Sequence, residues 1–583
     1  MTMNQSGNQG MDDRVSGSEP PRGGAEGEAR GSGLFASAAS VGPRIWLALL
    51  VPCAALVAWN QRFLMDDAYI SFRYAENWAS GHGLVFNLGE RVEGYTNFLW
   101  TWILGCLRAF GGADLETSSQ VLGVLSFSVA LVASHRLASL ALADPVKALC
   151  APALLATHYS FVRFATGGLE TSTQAALITL CFALACGFLE SGRPPSLGAL
   201  LALGLLATAA VLLRLDSALP VGLASSAALV SVGRLPSARR RFAGLAALSI
   251  PGLLLILIWL FYKAAFYGDL LPNTFYAKAT GVSMHHYGLA FLGLFARQYF
   301  LLPLLPLWLI GAAISLRRLE KSQTLLVVAV LSWCAYMVKV GGGFMEFRLL
   351  MPVLPLFAVS LVHGVFTVLP RRRVLSLALL AILPVASAVH ASSYRSFGTV
   401  LATSSMAKQV DDPSFDWSDV GRALRHFFGQ ADEPVVIAAT PIGAIGYFSN
   451  LPLIDMHGLV DPWVARHGAL VRPRPGHLRL APLAYLQERG VHFVVGQPSF
   501  NALPQKSGFI KIEDVASLVR PVVGWKSLGR DARFVSIPMP GLEGRLNALY
   551  LTRSEEIDRL IAQNEMPIYE IVFPQESGDR EGG

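Results

Sequence analysis

Apolar residues fall in long unbroken runs, not in the narrow stripe of a helix with one wet face. The runs cover about 45–62, 97–111, 119–142, 147–163, 169–190, 196–214, 217–233, 244–266, 290–316, 323–340, 349–369 and 374–391. Several approach the roughly 20 residues a helix needs to cross a bilayer, and those at 97 and 147 are short. The pattern predicts a polytopic α-helical membrane domain over 44–391 with about 11–13 spans. Ahead of it, 1–43 is rich in Gly, Ser, Glu and Arg and has no apolar period, as in a disordered cytoplasmic tail. The first run lacks the layout of a cleavable leader and reads as an uncleaved span. Beyond Ala391 the pattern changes. Val435 to Ala439 reads as a buried strand, Gly443 and Gly446 as a turn, Leu483 to Gly490 as a helix, and Val491 to Val495 as the next strand. Together they predict a soluble α/β domain over 392–583.

Composition supports this division. The chain has 583 residues, 53% hydrophobic and 15% charged, where soluble proteins hold about 25% charged residues. Mean hydropathy is +0.47. These values exclude a cytoplasmic globular enzyme, a disordered protein and a disulfide scaffold. The net charge of +7 sits in short loops and does not point to nucleic acid. Three basic clusters, Arg239 to Arg241, Arg317 and Arg318 with Lys321, and Arg371 to Arg373, orient the chain. The positive-inside rule places them in the cytoplasm and the C-terminal domain outside. Parity then requires that one segment between Thr96 and Phe164 fail to cross, or that one crossing be missed. All six cysteines lie in apolar segments and read as packing residues.

The stretch richest in chemistry follows the first run: Met65-Asp66-Asp67-Ala68-Tyr69-Ile70-Ser71-Phe72-Arg73, continuing to Gly94-Tyr95-Thr96-Asn97. Adjacent carboxylates repel and need a cation, hydrogen-bond donors or a shared proton, so such a pair is either a solvated loop or a site with a raised pKa. Arg214 and Asp216 end an apolar run, where charges are usually paired or functional. Glu170 and Glu346 also interrupt apolar sequence, with Arg348 a candidate partner for Glu346. Asp269 and Asn273 flank a proline and read equally well as turn formers. His285 and His286 read as an exposed pair. His457, Asp461, Arg466 and His467 are of ligand type but lack helical ligand spacing. Tyr447, Phe448 and Trp463 are either sugar-stacking or core residues.

With Gly81-His82-Gly83 and Glu93-Gly94-Tyr95-Thr96-Asn97, this stretch resembles the first outer loop of the C superfamily of membrane glycosyltransferases (GT-C). It is most similar to the terminal β-(1→2)-arabinofuranosyltransferases of mycobacterial-type cell envelopes. Further blocks carry the resemblance: Gly167-Gly168-Leu169-Glu170-Thr171, Leu213-Arg214-Leu215-Asp216, Tyr267-Gly268-Asp269 through Asn273 to Lys278, Phe344-Met345-Glu346-Phe347-Arg348, and Gly443-Ala444-Ile445-Gly446 through Asp455 to Asp461. It implies a transferase at the outer face of a bacterial cytoplasmic membrane. The donor would be a polyprenyl-phosphate sugar, arabinofuranose in the nearest branch, and the acceptor an envelope glycan, lipid or protein. Within loop 63–96, Asp66 or Asp67 would be the catalytic base, with Asp66 slightly favoured. Arg73, Arg91, Lys278 and Arg348 would hold the donor phosphate. Tyr95, Asn97, Glu170, Asp269, Asn273 and Glu346 would bind substrate. No cofactor is implied, although the aspartates leave room for a divalent cation. The chain departs from relatives at Gly343, where they carry Asp. A lipid or polysaccharide transporter and a non-catalytic glycan-binding scaffold stand as the competing readings.

Overall fold

In a computed structural model, the structure describes residues 26–142, 144–278, 281–412, 415–471, 476–500, 508–542 and 544–573, with side chains from 42 onward. The chain divides into two compact units, Met1–Trp46 and Leu47–Gly583. Of the tail, 1–25 lies outside the described residues. The first helix, Glu26–Asn60, begins within the stretch expected to be disordered.

The protein is a polytopic helical membrane protein with a C-terminal α/β domain. Among the described residues eight helices are long and apolar enough to cross a membrane, and four shorter apolar helices join them. Two predicted spans are interrupted. The run at 147–163 forms three short helices, Pro145–Ala148, Cys150–Ala156 and Tyr159–Arg163. It lies in the region where parity required an exception. The run at 290–316 divides into His285–Gln298 and Leu305–Arg317. Phe300 takes a positive φ at this break, and Pro303 and Pro306 follow, which disfavour a continuous helix.

The α/β domain holds β1 (Ile437–Ala439), β2 (Leu453–Asp455), β3 (Ala469–Leu470), β4 (Arg479–Leu480), β5 (Phe493–Gly496), β6 (Gly508–Lys511), β7 (Arg533–Pro538), β8 (Arg545–Tyr550) and β9 (Ile568–Val572). Seven of them form a mixed sheet in the order β2-β1-β5-β8-β7-β9-β6, and β3 pairs with β4. The predicted helix and second strand appear as Leu483–Glu488 and β5. The turn expected at Gly443 and Gly446 is instead the helix Gly443–Ser449. It crosses from β1 to its parallel neighbour β2, so its first amides sit at the carboxyl end of β1. Open α/β sheets gather their contacts at that end.

Candidate active site

The stretch after the first span is not a solvated loop. From Asp66 it forms the helix Asp66–Ala79, of which ten of 14 residues are buried. Carboxylates in a first turn complement the helix dipole. Successive side chains on a helix diverge by about 100°, and the two aspartates have different surroundings. Asp66 accepts hydrogen bonds from the Ala444 amide at 2.8 Å and the Gly443 amide at 3.2 Å. Burial pushes its carboxyl up to about 7, against these two amides and with a further push from Asp67. Gly443 has to be glycine, because a Cβ there would lie 1.9 Å from the Asp66 carbonyl oxygen.

Asp67 is half-buried and accepts no hydrogen bond among the described residues. Burial raises its pKa, opposed by Arg348 and Lys278. These cations belong to a network centred on Glu170, which is 1% exposed. Glu170 Oε1 accepts from Arg348 Nη2 at 2.7 Å and Arg214 Nη1 at 3.0 Å, and Oε2 accepts from Asn97 at 2.8 Å. The two guanidiniums pair directly with its carboxylate. Arg214 also clasps both oxygens of Asp216, which accepts from Gln174 at 2.8 Å. Arg348 donates to Thr171 at 3.0 Å and keeps Nη1 on the Met345 sulfur at 3.4 Å, so one arm of the guanidinium has only a weak acceptor. A small concavity runs along Glu170, Gln174, Arg214, Asp216, Trp333 and Arg348.

Lys278 ends the helix Asn273–Lys278. It is solvent-accessible, yet burial lowers its pKa, with Asp67 opposing. It makes no hydrogen bond or close ion pair among the described residues.

The structure brings Asp67, Lys278, Arg348, Glu170 and Asn97 together. Other predicted residues serve different ends. Arg73 is buried and donates to the carbonyls of Phe86, Gly446 and Leu451 and to Asn87, which leaves no arm for a phosphate. Arg91 is exposed and lies over Phe266. Tyr95 packs on Tyr74 and shares a hydrogen bond with Tyr267. Glu346 does not pair with Arg348. It accepts from Ser160 at 2.8 Å, from His390 at 3.3 Å and from the Thr403 amide. The intervening Phe347 has a positive φ, which turns two near neighbours in sequence toward separate clusters. Asp269 accepts from Tyr276 and Arg466, and Asn273 donates to the carbonyls of Gly458 and Leu459. Tyr447 and Phe448 pack against Tyr69. Trp463 stacks on Tyr485 at 4.0 Å. His285 and His286 are exposed.

Gln174 and Asn87 were given no role by the sequence reading, and Asp455 entered it only within a resemblance block. Asn87 exchanges hydrogen bonds with both backbone groups of Leu453. Asp455 accepts from the amides of His457, Leu459 and Val460. For Asn87, its place in the Gly-rich stretch that carries the family resemblance was the available signal. Among the described residues no three His, Cys, Asp or Glu side chains are grouped to hold a metal. The aspartates do not fit a shared cation either, because Asp66 turns both oxygens to amides and Asp67 already faces two cations.

A family model described as a domain of unknown function, DUF8728, matches residues 406–536. A terminal β-(1→2)-arabinofuranosyltransferase of Mycobacterium tuberculosis is 28% identical over 364 residues, 56% of each chain. The Corynebacterium glutamicum protein of the same name is 27% identical over 344 residues, 53% of this chain and 49% of that one. The matched stretch thus spans about half the length of these curated relatives. The crystal structure of ArnT from Cupriavidus metallidurans bound to undecaprenyl phosphate superposes with a TM-score of 0.52 at 12% identity, covering 89% of this chain and all of that one. The chain shares the fold of ArnT, and the resemblance carried by the loop blocks is borne out by the two arabinofuranosyltransferase relatives.

Proposed function

We propose that this multi-pass membrane protein is a glycosyltransferase that moves a sugar from a polyprenyl phosphate to an envelope acceptor, with Asp67 as the base. One observation carries the reading: among the described residues a carboxylate and an ammonium, Asp67 and Lys278, make no side-chain hydrogen bond, beside the ion network of Glu170. Stability alone gives no reason to leave two charges uncommitted in a cleft. The names of the two curated relatives and the polyprenyl phosphate bound to ArnT suggest the substrates, and arabinofuranose is the sugar we favour.

The acceptor hydroxyl attacks the anomeric carbon while Asp67 takes its proton. The bond from that carbon to the phosphate oxygen breaks, the configuration inverts, and the polyprenyl phosphate departs. The donor phosphodiester carries one negative charge and the departing phosphate gains a second. The charges that act on one another here are Arg214, Arg348 and Lys278 against Glu170, Asp216 and Asp67, a neutral set. Once Asp67 is protonated the set is positive by one, so charge develops on protein and leaving group in step. Lys278 and the arm of Arg348 held only by the Met345 sulfur would meet the phosphate.

The network also favours an outward site. Arg239 to Arg241 open the helix Ala238–Tyr267, and the segment bearing Lys278 follows its far end. Thirty residues of helix span about 45 Å, so a positive-inside orientation of the cluster supports a site at the outer face of the cytoplasmic membrane. The direct test is transfer of labelled sugar from a polyprenyl phosphate by the purified protein in vesicles. Asp67→Asn should abolish it while Asp66→Asn, still docked through one amide, retains part. Full transfer by Asp67→Asn overturns the reading.

A further inference from the structure

We propose that Arg466 is a positioning residue which holds Lys278 in the cleft from the C-terminal domain; the proposal rests on the transferase reading above. Lys278 sits on a helix of six residues, Asn273–Lys278. Isolated helices below about 12 residues do not hold their own shape, so the place of this ammonium is set by what grips the helix. The grip is at its start and comes mainly from the C-terminal domain. Arg466 donates to Asp269 at 3.0 Å and to Asn273 at 3.3 Å, and its guanidinium lies 4.0 Å over the ring of Tyr276. Tyr276 closes the circuit by donating to Asp269 at 3.0 Å. Asn273 donates to the carbonyls of Gly458 and Leu459, and its amide donates to the Glu93 carbonyl at 2.9 Å.

Only a planar fork can bond two acceptors while stacking its face on a ring. A lysine at 466 would keep the charge and lose this geometry. From Asn273 to Lys278 is five residues, about 7.5 Å along a helix axis. A tilt at the anchored end is therefore passed to the ammonium.

The experiment uses the full chain in nanodiscs, with decaprenyl phosphate as the binding probe and labelled donor for kinetics. Arg466→Ala should weaken decaprenyl phosphate binding and raise the donor KM by roughly tenfold, the size of coupling within one network, with kcat within about twofold. Arg466→Lys should restore only part. The double variant Arg466→Ala, Lys278→Met should bind no worse than Lys278→Met alone. Wild-type affinity in Arg466→Ala, or a full additional loss in the double variant, overturns the proposal. Should Arg466→Ala lower the thermal midpoint, Asp269→Asn breaks the same circuit from the other side and must give the same split. A wild-type protein that neither binds the probe nor transfers sugar sinks the transferase reading itself, whereas normal wild-type kinetics with an indifferent Arg466 sink only this inference.

Discussion

The adjacent carboxylates differ because of what each faces. Asp66 is held by amides 377 and 378 residues away in sequence, whereas Asp67 faces cations. Replacing Asp67 by Asn should lower kcat by about 10²–10⁴-fold, the range for a lost general base, read as labelled sugar transferred per minute. The acid limb of kcat should lie above the ordinary aspartate range, because burial raises the Asp67 carboxyl. Donor KM should rise at alkaline pH below the usual lysine range, because burial lowers Lys278, and Lys278→Arg should remove that limb. Stability should show its own pH dependence. Burial raises Asp66 and Asp455 from 3.8 to about 7 in the folded protein. The folded state therefore holds more protons than the unfolded one between those values, and stability falls as pH rises through them. The thermal midpoint should drop between about pH 4 and about pH 7, with part of the slope absent in Asp66→Asn. The pair Asp66-Asp67 was legible in the sequence because adjacent carboxylates beside an apolar run are costly. Which of them is free was not legible, since that depends on two amides in a distant domain.

Short elements carry the site, and their placement comes from contacts. The helix Gly443–Ser449 approaches Asp66 so closely that only glycine fits at its first position. Gly443→Ala should lower stability by about 1–3 kcal/mol, as overpacking does, and differential scanning fluorimetry of the detergent-purified protein should show the fall. Apolar run length made the spans readable. It missed the breaks at 157–158 and 299–304 because hydropathy does not register where backbone bonds end. The segment from Asp66 to Asn97 misled in part for a related reason. Arg73 was expected on the donor phosphate, while it and Asn87 are buried and matched to backbone groups of the C-terminal domain. Glu346 and Arg348, two residues apart, read as a pair, but a positive φ at Phe347 separates them.

For the whole molecule, the C-terminal domain reads as a wall of the site, since Gly443, Ala444 and Arg466 each touch a segment that carries a candidate residue. A chain ending at 391 should show no sugar transfer and a lower thermal midpoint, measured in the same vesicles. In a variant with its six cysteines replaced, Phe509→Cys should react with an impermeant maleimide on intact cells, and Arg240→Cys only after permeabilisation. The reverse pattern would place the cleft on the cytoplasmic side. The bonds of Arg73 have one more consequence. They reach 373 and 378 residues ahead, to Gly446 and Leu451. At about 5–20 residues per second, a ribosome needs roughly 20–75 s to supply those acceptors. During that interval the guanidinium lacks these two acceptors, so the first helix of the site reaches its final bonding only after the C-terminal domain has been made.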